Sequence, residues 1–246
     1  MSSIPQASTR NLLLSVLPAD SFSEIQPHLE RVDLPLKTIL VEEKTPTLHV
    51  HFLESGLASM VARSQRDGEE IEVGHIGREG MAGFHVAHGV ASTPHRTFMQ
   101  VSGQALRLPS DVLTEVLAKN VPLRALLLRY IHSYEVQLSQ SALANGRYSI
   151  NERLARWLLM SHDRLERDDL PLTHEFLSLM LGVRRSGVTN EIHILEGKGL
   201  IKATRGRIYL LDRTGLETLA GGCYGVPEDE YARLIGTAIS RSTRPA

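Results

Sequence analysis

The residues of this chain best suited to chemistry lie between Thr173 and Leu211. Arg184, Arg185, Ser186, Thr189, Asn190 and His193 bring together guanidinium, hydroxyl, amide and imidazole groups, all able to bond phosphate oxygens or base edges. They precede or interleave with Val188, Ile192 and Leu195, whose i, i+4, i+7 spacing predicts the buried face of a helix, which leaves the polar set outward. Further along, Leu200 to Ala203 and Ile208 to Leu211 read as two strands around the turn Thr204-Arg205-Gly206-Arg207. Lys202, Arg205 and Arg207 give that hairpin a basic tip. From Arg184 to Arg207 there are six basic groups against two acidic ones, the local excess that phosphate binding needs.

Several elements must hold these groups in place. Thr173 predicts an N-cap for a helix with Phe176, Leu177, Met180 and Leu181 on its apolar side, and Gly182 permits the reversal into the second helix. Helix, turn, helix and basic hairpin over residues 173 to 212 form a winged helix-turn-helix, with one helix for a major groove and a wing for adjacent backbone. Upstream, Ser149 and Glu152 form a capping box, and Leu154, Trp157, Leu158 and Leu165 supply a buried stripe for a helix over 149 to 166.

From Pro109 helical patterning runs to about Asn145, where Asn145 and Gly146 suit a C-cap. Within it Leu127, Ile131, Tyr134, Leu138 and Ser141 follow 4-3-4-3 spacing, the seam of a short coiled coil and so a candidate dimer interface. Residues 11 to 31 predict two small helices. Between Val32 and Leu108, glycine-punctuated runs such as His49 to Phe52, Leu57 to Val61, Glu70 to Val73 and Thr97 to Val101 predict an antiparallel barrel or roll. After Ala220, Gly221-Gly222 interrupts the fold and Pro227-Glu228-Asp229 opens a short helix expected to reach Ile239. The tail Ser240 to Ala246 is expected to be disordered.

The formal net charge is -1, but it is unevenly spread: residues 1 to 145 carry 12 basic and 15 acidic groups, and 146 to 246 carry 15 and 13. A length of 246 residues predicts two domains. No apolar run approaches the roughly 20 residues of a membrane span and the start lacks a secretory pattern, so a cytoplasmic location without membrane contact is expected. The one cysteine, Cys223, excludes an internal disulfide and any all-cysteine metal site built from this chain alone, and is read as an inert thiol. No cofactor is expected.

Two histidine sets suggest other chemistry. His49 and His51 share one side of a predicted strand with Glu54 nearby, which would suit iron or zinc in a cupin-like metalloenzyme. His75, His85, His88 and His95 form a looser set that is able to bind metal or haem. An adaptor that binds proteins rather than DNA is a further alternative.

The order of elements over residues 11 to 220 resembles the Crp/Fnr superfamily of bacterial regulators. The likeness rests on His51-Phe52-Leu53-Glu54-Ser55-Gly56, on Glu152-Arg153-Leu154-Ala155-Arg156-Trp157-Leu158-Leu159 and on Met180-Leu181-Gly182-Val183-Arg184-Arg185. The resemblance implies an α+β chain: a cyclic-nucleotide-binding-like β roll over 1–120, a long dimerisation helix over 121–145, a winged helix-turn-helix over 146–220 and a C-terminal extension over 221–246. It implies a homodimer on an approximately palindromic site of double-stranded DNA, RNA polymerase as a partner, and a small-molecule effector left unidentified; no enzyme activity is expected. Arg185 matches a base- or phosphate-contacting arginine, whereas Ser186 and Asn190 replace the family's glutamate and arginine, which changes the expected half-site. Arg96-Thr97 resembles the pair that holds a cyclic phosphate. Gly83-Phe84-His85 lacks the carboxylate that meets the ribose, so cyclic AMP is not the expected effector.

Overall fold

The structure is a computed structural model describing residues 4–239, so the expectation for Ser240 to Ala246 lies outside the described residues. Asn11 caps the short helix α1 (Leu12–Ser15) by accepting from the amides of Leu13 and Leu14, and α2 (Ala19–Ile25) follows Pro18. Eight strands then form the roll: β1 (Glu30–Leu34), β2 (Ile39–Val41), β3 (His49–Leu53), β4 (Leu57–Arg63), β5 (Glu70–Ile76), β6 (Met81–Ala82), β7 (Arg96–Val101) and β8 (Gly103–Pro109). They pair antiparallel in two sheets of order β1-β8-β3-β6 and β2-β7-β4-β5. Leu34, Leu53, Ala58, Met60, Ile76, Met99 and Ala105 close the space inside, because alternate residues of a strand share a face.

The helical stretch after the roll is two helices rather than one. Asn120 interrupts it between α3 (Ser110–Lys119) and α4 (Val121–Arg147), and its side chain caps α4 by accepting from the Leu123 amide at 2.8 Å. Asn145 and Gly146 do not end α4. It continues through Arg147 because the chain needs only Tyr148 before the next cap, the reciprocal Ser149 and Glu152 pair that opens α5 (Ile150–Leu165). Next come β9 (Asp169–Leu170), α6 (His174–Leu181), α7 (Arg185–Gly197), β10 (Ile201–Thr204) and β11 (Arg207–Leu210), with the strands in the order β10-β11-β9. Leu154, Leu158, Leu177, Val188, Ile192, Leu195 and Ile208 share the core of this unit, which also takes in Leu57 and Val101 of the roll.

Beyond α8 (Arg213–Ala220), the glycines lead through a 3-10 turn into α9 (Val226–Ile235), which stops at Gly236 (φ 83°) instead of reaching Ile239. The helix turns back and packs on α4. Tyr231, Ile235 and Ile239 join the core that Leu13, Leu126 and Tyr130 build, and the Tyr231 hydroxyl donates to the Glu79 carbonyl at 2.7 Å. At roughly 1.5–3 kcal/mol for each large apolar side chain buried, α9 is an integral layer of the fold.

The predicted seam of α4 turns inward. Leu127, Ile131 and Tyr134 are buried against their own chain, whereas Leu138 is half-buried at the edge of the roll core. The opposite face is open. Val121, Leu128 and Leu143 are 59%, 47% and 43% exposed, and Ala125, His132, Val136 and Ser139 continue their stripe at helical spacing.

Candidate nucleic-acid interface

The Thr173 hydroxyl accepts from the Phe176 amide at 3.2 Å and fixes the start of α6. The helix ends at Gly182 in the left-handed region (φ 61°), where a Cβ would come 2.8 Å from the Ile71 methyl of β5; glycine thus serves both the turn and its close approach to the roll. Val188, Ile192 and Leu195 of α7 are buried, which turns Arg184, Arg185, Ser186, Asn190 and His193 to the surface. Arg184 stands at the N-cap without a side-chain cap bond. Thr189 is half-buried: its hydroxyl donates to the Arg185 carbonyl at 3.1 Å and lies 3.0 Å from His174 Nδ1. His193 Nδ1 lies 3.4 Å from Glu196.

The wing pairs Thr204 with Arg207 across a turn in which Gly206 takes a positive φ of 75°. Lys202 and Arg205 are exposed. Among the described residues Arg184, Arg185, Lys202 and Arg205 have no ion-pair partner in their own chain. Arg207 differs, since its guanidinium pairs with Asp169, which also holds Arg167. Sequence reading left out Arg167, His174 and the exposed Lys198. Arg167 and His174 join the surface only because β9 and the start of α6 are folded beside the wing and α7, whereas Lys198 had a visible signal in its place just after the recognition helix.

The expected effector set does not assemble. Thr97 shares the inward face of β7 with Met99, whereas Arg96 faces outward, pairs with Glu70 at 2.6 Å and lies over the Phe98 ring at 5.2 Å. Arg96 borders a groove of about 650 Å³ between the roll and Phe176 of α6. Gly83 takes the left-handed conformation (φ 86°), and the Phe84 ring packs 4.9 Å from that of Tyr134 and 6.4 Å from that of Tyr130. His85 Nε2 lies 3.0 Å from the Thr47 hydroxyl, and burial, then His88 and His95, lowers its pKa.

The histidine and carboxylate sets do not converge either. Glu54 accepts from the Arg10 amide at 2.9 Å and pairs with Arg31 at 3.0 Å, away from any imidazole. Burial, then His49 and Arg107, lowers the His51 pKa to about 4. No group of three His, Cys, Asp or Glu side chains among the described residues is arranged to hold a metal ion. Cys223 is buried, and its thiol pKa is raised by burial. No described helix is long and apolar enough to cross a membrane.

Residues 152–219 match the Crp-like helix-turn-helix domain family. No curated protein sequence matches the chain. Solved structures extend the likeness to the whole fold. A Crp/Fnr-family transcriptional regulator from Eubacterium rectale is 20% identical with a TM-score of 0.67, over 85% of this chain and 97% of that one. FixK2 from Bradyrhizobium japonicum is 16% identical with a TM-score of 0.69, over 79% and 98%. A CRP-family regulator from Thermus thermophilus is 21% identical with a TM-score of 0.65, over 78% and 97%. At these identities the structural likeness is one of fold. Residues 152–219 thus belong to the Crp-like helix-turn-helix domain family, within a chain whose whole fold is like that of these Crp/Fnr-family regulators.

Proposed function

We propose that this protein is a homodimeric transcription regulator, not an enzyme, that reads an approximately palindromic DNA site in the cytoplasm and acts on RNA polymerase. The observation that carries the reading is the outer face of α7 and the wing, where Arg184, Arg185, Lys202 and Arg205 stand exposed without an ion pair among the described residues. Ionised groups held apart from their counter-ions suit a polyanion, whose release of condensed cations on binding drives association. Arg185 and Asn190 take the role of base readers, with Ser186, Thr189 and His193 beside them, and Lys202 and Arg205 grip phosphates. Arg207 contributes less, because binding phosphate must compete with Asp169.

Dimerisation falls to the open face of α4. Val121, Ala125, Leu128, Val136 and Leu143 offer a partner helix an apolar stripe along most of its length, in place of the buried Leu127, Ile131 and Tyr134. Selection of duplexes from a random pool tests the whole reading: a two-fold-related motif should be enriched by wild type, and none by Arg185→Ala. Recovery of no motif by a folded wild type would discard it.

The effector differs from cyclic AMP in this reading, because Phe84, Tyr130 and Tyr134 fill the inner side of the roll and Arg96 faces away. Calorimetry with cyclic AMP should show no binding at micromolar concentration. Submicromolar affinity lost in Arg96→Ala would restore the pocket implied by the resemblance.

A further inference from the structure

The roll meets the DNA-binding domain through a polar joint that DNA contact does not use. At its centre is the buried Glu72 carboxyl of β5. Its Oε1 accepts from Trp157 Nε1 of α5 at 2.8 Å and lies 3.2 Å from His75 Nδ1. Its Oε2 lies 2.5 Å from Ser59 Oγ of β4, and that hydroxyl lies 2.7 Å from Gln100 Oε1 of β7. The other end of Gln100, Nε2, reaches the sulfur of Met180 on α6 at 3.4 Å. Arg156 and Arg164 of α5 are the cations facing Glu72, with Glu79 and Glu228 beside them, and Tyr134 and Gln137 face the joint from α4. Gln137 clamps the His75 backbone, accepting from its amide at 2.9 Å and donating to its carbonyl at 3.3 Å.

Counting hydrogens makes this joint two-state. Ser59 has one hydroxyl hydrogen and two close acceptors. When it donates to Gln100 Oε1, its contact with Glu72 needs a proton on the carboxyl. When Glu72 is ionised, the hydroxyl turns to the carboxylate, and Gln100 must rotate its amide to offer N–H to Ser59 and turn its oxygen toward Met180. The protonation of one carboxyl is thereby linked to a contact on the first helix of the DNA-binding motif.

We propose that Glu72 is a proton-binding site through which ambient pH sets how firmly the DNA-binding domain is docked on the roll. The coupling runs by Ser59 and Gln100 to Met180 and by Trp157 to α5. Burial pushes Glu72 up to about 7, against the lowering effects of Ser59, Trp157, Arg156 and Arg164. His75 is held well below the ordinary imidazole range by burial, then by Arg164 and Arg156, so the proton resides on the carboxyl. Released from the joint, Glu72 regains a pKa of about 4.3. The docked state therefore binds the proton more tightly. Docking is firmest below that value, loosens by up to about tenfold per pH unit as pH rises toward about 7, and levels off above it.

The test uses the full-length protein and its single tryptophan, Trp157, whose indole touches Glu72. Wild-type emission should titrate with a midpoint near 7, and Glu72→Gln should abolish that transition. Glu72→Gln should melt close to wild type at about pH 5 and several degrees above it at about pH 8, because only the ionised carboxylate is penalised. The DNA arm rests on the function proposed above: with a selected duplex, wild-type affinity should change about fivefold more than that of Glu72→Gln from about pH 6 to about pH 8. Gln100→Leu should keep the Trp157 transition and lose the extra pH dependence on DNA. A Trp157 transition without DNA binding at any pH would support the proton site while removing the DNA reading. Flat wild-type emission, or a transition that persists in Glu72→Gln and vanishes in His75→Gln, overturns the proposal.

Discussion

Arg185 and Arg96 match phosphate-holding positions by the same kind of sequence likeness, yet the fold treats them differently. Arg185 begins α7 on an exposed surface with no carboxylate of the described residues within ion-pair distance, whereas Arg96 lies on the outer face of β7 with Glu70 at 2.6 Å and Phe98 beneath it. One site is open and the other already satisfied. An arginine can bind an external anion only to the extent that its own chain leaves it unpaired, so the local count of opposite charges decides function more than residue type does. The two faces of α4 repeat the lesson in apolar terms, since Ile131 is spent on the core while Leu128 is left for a partner.

The largest effect should separate those two faces. Ile131→Asp places a carboxylate in the core and should cost about 4 kcal/mol or more of folding stability, read as early loss of the melting transition. Leu128→Asp should change stability by less than about 1 kcal/mol and instead shift sedimentation from dimer to monomer. A Leu128→Asp protein that stays dimeric would move the interface off this stripe.

Next in size is the open arginine. Arg185→Ala should cost about 1–3 kcal/mol at a specific duplex with a smaller change on random DNA, and Asn190→Ala should relax preference at one base pair. Smaller again, Arg205→Ala should weaken both duplexes alike and lower the salt slope by about one unit. Arg207→Ala should do less, because Asp169 already engages that side chain. Titrations at several salt concentrations separate these cases. The smallest effect belongs to the satisfied arginine: Arg96→Ala should alter stability by about 0–1 kcal/mol and leave DNA affinity unchanged.

Much of the site is legible in the residues alone. The Ser149 and Glu152 box, the Thr173 cap, the turn at Gly182 and the buried row Val188, Ile192 and Leu195 depend on contacts within a few residues, so the primary sequence carries them. The basic wing tip at Arg205 is legible for the same reason. The helix break at Asn120 left a local signal as well, an N-cap asparagine with Pro122 in the first turn, whereas its bond from Asn120 Nδ2 to Glu24 Oε1 at 2.8 Å is long-range and leaves none. The pairing of Arg207 with Asp169 joins residues far apart in sequence and leaves no periodic trace.

By itself, then, the sequence determined the kinds of element, their order and the face of α7 that turns outward, because capping, turn chemistry and helical period act over one or two turns. Only the tertiary structure decided which stripe of α4 is buried, since both Leu127-Ile131-Tyr134-Leu138 and Val121-Leu128-Val136-Leu143 satisfy helical spacing and the choice depends on what the roll and α9 bring against them. It also decided that Arg96 finds Glu70 and that Glu72 is enclosed by Ser59, His75 and Trp157. Charge pairing and desolvation are set by neighbours brought together from distant parts of the chain, and no local pattern specifies them.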